Sequence, residues 1–215
     1  MYIPYAFAEQ RLSVLHGLIR SHPFATVITT GNRGIIASHV PVVLLPTSGP
    51  SGTLQFHLAK PNPQCEDLAA GAEVLAIFQG PHGYVSPTWY VTAGRVPTWN
   101  YVAVHAYGTP SVMNDEGLVE HLERLVAEYE SARPNRWDAG RLPVESFAKL
   151  RGAIVGFDVT IARIEGKWKL GQNRTAADRA GAIAGLRTTG TPDDATLANL
   201  MAAAMEDDAG ASGRR

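Results

Sequence analysis

Residues 96–113 read VPTWNYVAVHAYGTPSVM, an aromatic turn followed by a long alternating segment. From residue 101 onward, Tyr101 and His105 fall on one face and Val102 and Val104 on the other, which predicts a β-strand. Residues 80–100, before it, combine Gly and Pro with four large aromatic side chains and are predicted to be loop-like. Solvated loops rarely carry so many aromatic rings, so we expect another surface to cover them. Those rings are Tyr84, Trp89, Tyr90 and Trp99.

Hydrophobic periodicity and turn residues divide the rest of the chain into alternating helical and extended segments. Further strands are predicted at 24–30, 35–45, 53–58, 73–78 and 154–164. Helices are predicted at 12–22, 64–70, from 114, at 144–150, at 175–186 and from 191, where Thr191 caps and Pro192 begins the helix. We expect residues 166–174 to form a loop and 210–215 a frayed tail. The order indicates an α+β fold built on a small antiparallel barrel.

The composition is that of a folded soluble protein of one domain with a helical appendage. The chain has 215 residues and a formal net charge of −1, which gives no general attraction to nucleic acid or anionic lipid. The single cysteine, Cys65, excludes an internal disulfide and a cysteine cage for a metal. No apolar run is long enough to span a bilayer, and residues 1–5 do not begin a signal peptide, so we expect a cytoplasmic protein.

Motifs for a dinucleotide turn, a phosphate loop, a zinc protease helix or a nucleophile elbow are absent, so no nucleophile can be named. Polar and aromatic residues that could carry chemistry lie instead in four clusters. These are residues 38–41 (SHVP), 57–64 (HLAKPNPQ), 86–90 (SPTWY) with 97–101 (PTWNY), and 166–174 (GKWKLGQNR).

Each cluster has a binding interpretation and a structural one. His39 can bond a cofactor or simply complete a strand. Lys60, Asn62 and Gln64, at the start of a helix, can meet a phosphate, although a lysine after a strand is usually only solvated. The flat rings of the third cluster suit a planar ligand and suit an oligomer interface equally well. Cations in the fourth cluster precede a helix, a position that favours a compensating anion.

These four clusters, in this order, resemble the PaiB-like family of FMN-binding negative transcriptional regulators. The resemblance covers essentially the whole chain and is most specific at 96–101 (VPTWNY) and 166–170 (GKWKL). It implies a six-stranded antiparallel Greek-key split β-barrel with peripheral and C-terminal helices. It also implies a homodimer with FMN at the interface. We expect a barrel domain at 1–170 and a helical extension at 171–215.

With FMN as the cofactor, the residue types in the clusters predict its contacts. We expect Lys60 and residues 62–64 to hold the FMN phosphate and Trp99, Asn100 and Tyr101 to contact the flavin ring. From the C-terminal side, the site is closed by Trp168, Lys169 and Gln172. The sequence departs from the family at Gly171, where serine is usual, at Cys65, where tryptophan is frequent, and in a short loop at 91–95.

A second resemblance, to heme-dependent piperazate synthases that form an N–N bond, implies heme b in place of FMN. His57 would then ligate the iron and Lys169 would be catalytic. An enzymatic function would be favoured if His57, Lys169 and His105 lay close together in the fold. Whether the chain is an enzyme stays open, as does a third alternative, a cofactor-free dimeric regulator. Direct DNA binding has little support, because residues 191–208 contain no Lys or Arg.

Overall fold

The computed structural model describes residues 1–212, without the side chains at 139 and 208–212. These residues form an α+β fold of eight strands and six α-helices, as the sequence predicts by class. The strands are β1 (Ala8–Glu9), β2 (Phe24–Gly31), β3 (Gly34–Pro41), β4 (Val43–Leu45), β5 (Thr53–Ala59), β6 (Val74–Val85), β7 (Thr98–Val112) and β8 (Ile154–Lys169). The helices are α1 (Leu12–Ser21), α2 (Gln64–Ala69), α3 (Asp115–Glu130), α4 (Val144–Arg151), α5 (Ala176–Thr188) and α6 (Pro192–Ser212).

The chain divides into two compact units, each built from separate stretches of sequence. The first unit contains residues 1–15, 79–104 and the chain from Glu165 onward; the second contains 16–78 and 105–164. The predicted boundary between residues 170 and 171 stays a prediction. Strands β6, β7 and β8 contribute residues to both units.

The strands belong to one antiparallel sheet in the order β3-β2-β6-β7-β8-β5-β4, with β1 paired to β8. The prediction of six strands was therefore too low. Strands β2 and β3 form a hairpin in which Gly31 pairs with Gly34 across a two-residue turn. Gly34 has φ 86°, a left-handed conformation that favours glycine. Farther along the sheet, β5 runs antiparallel to β8, from Thr53 opposite Thr160 to Ala59 opposite Ile154.

Several boundaries differ from those predicted, because long-range packing outweighs local turn signals. The predicted strand 35–45 is split after Pro41, where the Val42 amide donates to the Pro23 carbonyl at 2.9 Å. The predicted loop 80–100 was partly wrong: alternating burial carries β6 on to Val85, and β7 begins at Thr98. Likewise, β8 extends to Lys169, so the first residues of the predicted loop 166–174 are strand.

Three of the described helices, α3, α5 and α6, begin at a capping side chain. Asn114 accepts from the Gly117 amide at 2.8 Å, Thr175 from the Asp178 amide at 3.1 Å and Thr191 from the Asp194 amide at 3.1 Å. The bond to Thr191 confirms the cap predicted at that residue. Helix α6 reaches Ser212, so the tail predicted from residue 210 was wrong over 210–212, and residues 213–215 lie outside the described residues.

Each unit has its own apolar core. In the second unit, Phe56 and Phe157 are fully buried, with ring centroids 5.8 Å apart. In the first unit, Leu186 of α5 and Leu197 and Met201 of α6 are fully buried. Trp89 lies so close to α5 that a Cβ atom at Gly181 or Gly185 would overlap it. In the described part of the chain, no helix has the length and apolar character needed to cross a membrane.

Candidate functional site

Lys169 lies at the end of β8, where its ammonium group contacts the start of β7. Its Nζ donates to Thr98 Oγ1 at 2.6 Å and to the Trp99 carbonyl at 2.5 Å. Burial lowers the pKa of Lys169, and the neighbouring cations Lys167 and Arg174 lower it further. Both of its acceptors are neutral oxygens, so within the described residues the Lys169 ammonium has hydrogen bonds but no ion pair.

Beside Lys169, the Trp99 side chain is 54% exposed, which is unusual for so large an apolar group. Its ring lies 6.2 Å from the His82 ring at 31° and 6.2 Å from the Tyr84 ring at 72°. We call these three side chains the aromatic face. The exposed Trp99 ring is thus flanked by two rings tilted against it, and the Lys169 ammonium binds the backbone carbonyl of the same residue.

The next two residues of β7 point to different environments. Asn100 is only 2% exposed and donates from Nδ2 to Met201 Sδ at 3.4 Å, so it is packed against α6. The Tyr101 ring lies under the Lys167 ammonium, 5.2 Å from its centroid. Lys167 also donates to the Tyr2 carbonyl at 3.0 Å. Asn100 therefore has a packing role in addition to any ligand contact.

Gln172 closes a turn after β8. Its Oε1 accepts from the Leu170 amide at 2.8 Å, and its Nε2 donates to the Trp168 carbonyl at 2.6 Å. Gly171, inside this turn, has φ 82°, so glycine suits the position for a conformational reason. A side chain at Gly171 would approach Asn100 Nδ2 at 3.7 Å. The departure from the family's usual serine therefore lies beside Asn100.

A buried carboxylate that sequence reasoning missed fixes the segment 90–95. Asp178, in the first turn of α5, accepts from the Val91 and Thr92 amides at 3.0 and 2.9 Å. The bond from the Thr92 amide is the largest cause that lowers the pKa of Asp178. Arg95 lies 3.8 Å from the same carboxylate. The spacing of Thr175 and Asp178 was the available signal, since it is typical of a helix start.

In the second unit, the amides predicted to meet a phosphate bond to the protein itself. Asn62 donates to Ser38 Oγ at 3.0 Å and accepts from the Gln64 amide at 2.9 Å. The Gln64 side chain is 0% exposed and donates to the carbonyls of Val27 and Ile36 at 3.0 and 3.2 Å. Lys60, by contrast, is exposed. Their contact with a phosphate stays a prediction.

His57 and His121 form a hydrogen-bonded pair in the second unit, with His57 Nδ1 3.0 Å from His121 Nε2. Burial lowers the pKa of His57. Burial, His57 and Arg124 together lower the pKa of His121 to about 4. Both rings are therefore neutral near pH 7, and the pairing leaves Nε2 of His57 for another partner.

The two other predicted histidines lie on strands of the second unit. His39 is exposed, bonds to Thr26 Oγ1 at 3.1 Å through Nδ1 and stacks 6.2 Å from the Phe24 ring. His105 approaches the Tyr107 hydroxyl at 3.4 Å. A cofactor contact at either histidine stays a prediction.

The predicted site residues thus fall into two groups. The first unit brings together Trp99, Asn100, Tyr101, Trp168, Lys169 and Gln172, and the second holds His39, His57, Lys60, Asn62, Gln64 and His105. Among the described residues, no group of three or more His, Cys, Asp or Glu side chains could hold a metal ion.

Comparison with known proteins identifies the class. Residues 1–163 match the family model described as "Putative FMN-binding domain". The chain is 36% identical to the protease synthase and sporulation protein PAI 2 of Bacillus subtilis over 203 residues, 94% of this chain and 96% of that protein.

Solved structures resemble the fold at low sequence identity. The FAD and heme binding protein of Mycobacterium smegmatis matches with a TM-score of 0.58 and 18% identity, covering 80% of this chain and 78% of its own. The flavocytochrome Anf3 of Azotobacter vinelandii matches with a TM-score of 0.58 and 16% identity, covering 75% and 69%.

The fold and the family match define a flavin-binding split-barrel protein. More particularly, the chain belongs to the PaiB-like family of FMN-binding domains. This confirms the resemblance based on residues 96–101 and 166–170. It also confirms the predicted cofactor, FMN. The residues of the first unit fit this cofactor: the half-exposed Trp99 ring suits a planar ring system, and the partly buried Lys169 ammonium, which has no ion pair among the described residues, suits its negative charge.

Proposed function

We propose that this protein is a homodimeric flavoprotein of the PaiB-like regulator type, with the FMN ring placed against the aromatic face. The observation that carries the proposal is a half-exposed indole in a residue whose backbone carbonyl binds a cation. Trp99 is 54% exposed, and its own carbonyl holds the Lys169 ammonium. Burying such a ring against another flat ring is favourable, and the cation beside it selects a ligand with negative charge.

Bound FMN would supply reversible electron transfer. The chain's own residues set the conditions for it. The Lys169 ammonium stabilises negative charge, and its effect is strengthened by partial burial. Thr98 and the Trp99 carbonyl fix the position of that ammonium. The Gln172 amide holds the turn that follows Lys169 and so supports the same arrangement.

The dimer is proposed from the apolar side chains left exposed between residues 80 and 101. Tyr84 is 45% exposed, Val91 76%, Val96 65% and Trp99 54%. A stable interface buries about 1,600 Å² and is enriched in aromatic residues. Sedimentation equilibrium at micromolar concentration should give twice the chain mass, and a monomer would contradict this part of the proposal.

The regulatory role is proposed to act through proteins or through the cofactor state rather than through direct DNA contact. Helix α6 has no Lys or Arg and opens with Asp193 and Asp194. Acidic helices are repelled by phosphate, and a DNA-reading helix is normally basic. Weak, non-specific retention on double-stranded DNA at low salt is the expected result of a binding assay.

A second candidate function, a heme-binding enzyme, is favoured by one observation. Nδ1 of His57 bonds to His121, and burial keeps His57 neutral. A neutral imidazole oriented through one nitrogen is the form that ligates iron through the other. In this case His57→Ala would remove the heme signal while leaving the dimer intact.

The absorption spectrum of the purified protein separates the candidates. Bands near about 375 and 450 nm indicate flavin, and a Soret band near about 400 nm indicates heme. A colourless protein that takes up neither added FMN nor added heme would favour the cofactor-free dimeric regulator.

The role of Lys169 has its own test. In Lys169→Met, the FMN dissociation constant should rise about tenfold, the scale of a charged hydrogen bond. The reduction potential should become more negative, because the cation favours the reduced, anionic flavin. Lys149→Met, which removes an exposed lysine of α4, is the matched control. Unchanged affinity and potential in Lys169→Met would refute the placement.

A further inference from the structure

The second unit contains a cavity lined by none of the candidate cofactor residues. Its volume is about 890 Å³, which is within the range of about 300–1,000 Å³ typical of small-molecule sites. Helices α3 and α4 form two walls, and the segment 131–143 and the start of β8 complete it. We call this space the α3–α4 cavity.

The α3–α4 cavity offers apolar contacts to a ligand. Leu122 and Val126 lie one turn apart on α3, and Phe147 projects from α4. At its edge, Trp137 is 46% exposed and Leu150 60% exposed. Large apolar side chains exposed around a concave, apolar surface are typical of a binding site for an apolar group.

The charged groups of the cavity differ in whether they already have partners. Glu130 accepts from the Trp137 amide at 2.9 Å and pairs with Arg133 at 3.4 Å. Asp138 accepts from the Gly140 amide at 2.9 Å. These two carboxylates therefore have protein donors.

Three further charged side chains determine which sign of ligand charge the cavity favours. Among the residues that the structure describes, the side chains of Arg136, Arg141 and Glu123 make no hydrogen bond or ion pair, although all three line the cavity. The remaining cation, Arg151, lies 3.8 Å from Asp115. The unpaired charges that line the cavity are thus two guanidinium groups and one carboxylate. Their positive excess favours an anionic ligand.

We propose that the α3–α4 cavity binds an amphipathic carboxylate, an organic acid with an extended apolar body. The apolar body contacts Leu122, Val126 and Phe147, and the carboxylate pairs with Arg136 and Arg141. Guanidinium groups match carboxylates in shape and bind them through two parallel hydrogen bonds. The cavity lining shares no residue with the candidate cofactor contacts, so either proposal can fail without the other.

Calorimetry with two probes of equal chain length tests the charge preference. The full-length protein as purified, with whatever cofactor it carries, should bind decanoate saturably, with one site per chain. Decyltrimethylammonium, which carries the opposite charge, should bind at least fivefold more weakly. Absence of saturable decanoate binding, or equal affinity for the two probes, would overturn the proposal.

Substitutions locate the site. Ala127 is exposed and lines the cavity, so Ala127→Trp fills it without removing a core side chain and should weaken decanoate at least tenfold. Glu128→Trp, one residue along α3 and outside the lining, should leave affinity unchanged. Equal affinity in Ala127→Trp and the parent protein would place decanoate elsewhere and overturn the proposal.

The head-group contact is tested by the double variant Arg136→Gln with Arg141→Gln. Decanoate should bind about tenfold more weakly, because exposed ion pairs each contribute about two- to fivefold. Lys149→Gln removes a nearby cation that does not line the cavity and serves as the control. All variants should keep the FMN content of the parent protein. An unchanged affinity in the double variant would overturn the assignment of the two arginines.

Discussion

Gln64 and Lys169 both lie in sequence clusters predicted to bind the cofactor, yet the two side chains differ in burial and in hydrogen bonding. Around Gln64, in the second unit, the amide side chain is 0% exposed and bonds to the carbonyls of Val27 and Ile36. Around Lys169, in the first unit, the ammonium lies beside a half-exposed indole and has a lowered pKa. Burial therefore distinguishes a polar residue of a family motif that is bonded within the fold from one that stays accessible to a ligand.

The contrast has a measurable form. Replacing a buried, bonded polar group should change the free energy of unfolding more than cofactor affinity, because protein groups lose their partners. Replacing a half-exposed group should do the reverse, because water can solvate what remains.

Gln64→Leu should give the largest effect. The substitution leaves the carbonyls of Val27 and Ile36 without the amide donor, so the free energy of unfolding should fall by about 2–5 kcal/mol. FMN affinity of the folded protein should stay within about twofold. Urea denaturation and fluorescence titration measure the two quantities, with exposed Gln10→Leu as control. If affinity falls more than stability, Gln64 belongs to the cofactor site and the contrast breaks.

His121 should make stability depend on pH. Its pKa in the folded protein is about 4, below the ordinary 6.5, so below pH 6.5 the unfolded chain binds more protons. Stability should be fully present above pH 6.5 and decline as pH falls toward 4, by roughly 2–3 kcal/mol. His121→Gln should flatten this part of the profile. If the free energy of unfolding had the same pH dependence in the parent protein and in His121→Gln, the His57–His121 pair would not be its cause.

Gly171→Ser tests the turn beside Asn100. A serine at φ 82° is strained, so the free energy of unfolding should fall by about 1–2 kcal/mol. The new hydroxyl lies near Asn100 and should raise FMN affinity if it reaches the ligand. Thermal unfolding and FMN titration separate the two effects. Gly94→Ser, at φ 75° in the segment 91–95, controls for strain alone.

Lys60→Ala should give the smallest effect. Because Lys60 is exposed, its contribution to FMN affinity should be about 1 kcal/mol, or roughly fivefold. Riboflavin, which lacks the phosphate, should be affected much less, and stability should not change. Equal losses for FMN and riboflavin would remove the phosphate role.

Local patterns predicted much of the fold. Alternation identified β7, and Thr191 with Pro192 identified the start of α6, because both signals lie within a few residues. The lengths of β6 and β8 were underestimated, since Gly80, Pro81 and Gly166 are turn residues by propensity and only packing across the sheet keeps them extended.

The candidate site was predicted less completely. Residues 166–172 were recognised as a unit from the resemblance, and the structure does bring Lys169 to Trp99. The partner of His57 was missed, because His121 lies 64 positions away and no local pattern joins them. The bonds from the Val91 and Thr92 amides to Asp178 were missed for the same reason, since they join positions 87 and 86 residues apart, and they fix the segment 90–95 to α5.

The close approach of Trp89 to Gly181 and Gly185 makes this residue a natural optical probe. The Trp89 indole packs against α5, whereas the Trp99 and Trp137 side chains are about half-exposed to solvent. In a chain whose three other tryptophans are replaced by phenylalanine, the Trp89 emission would report the docking of α5 alone. A shift to longer wavelength at a denaturant concentration below the main transition would reveal α5 detaching as a separate cooperative segment.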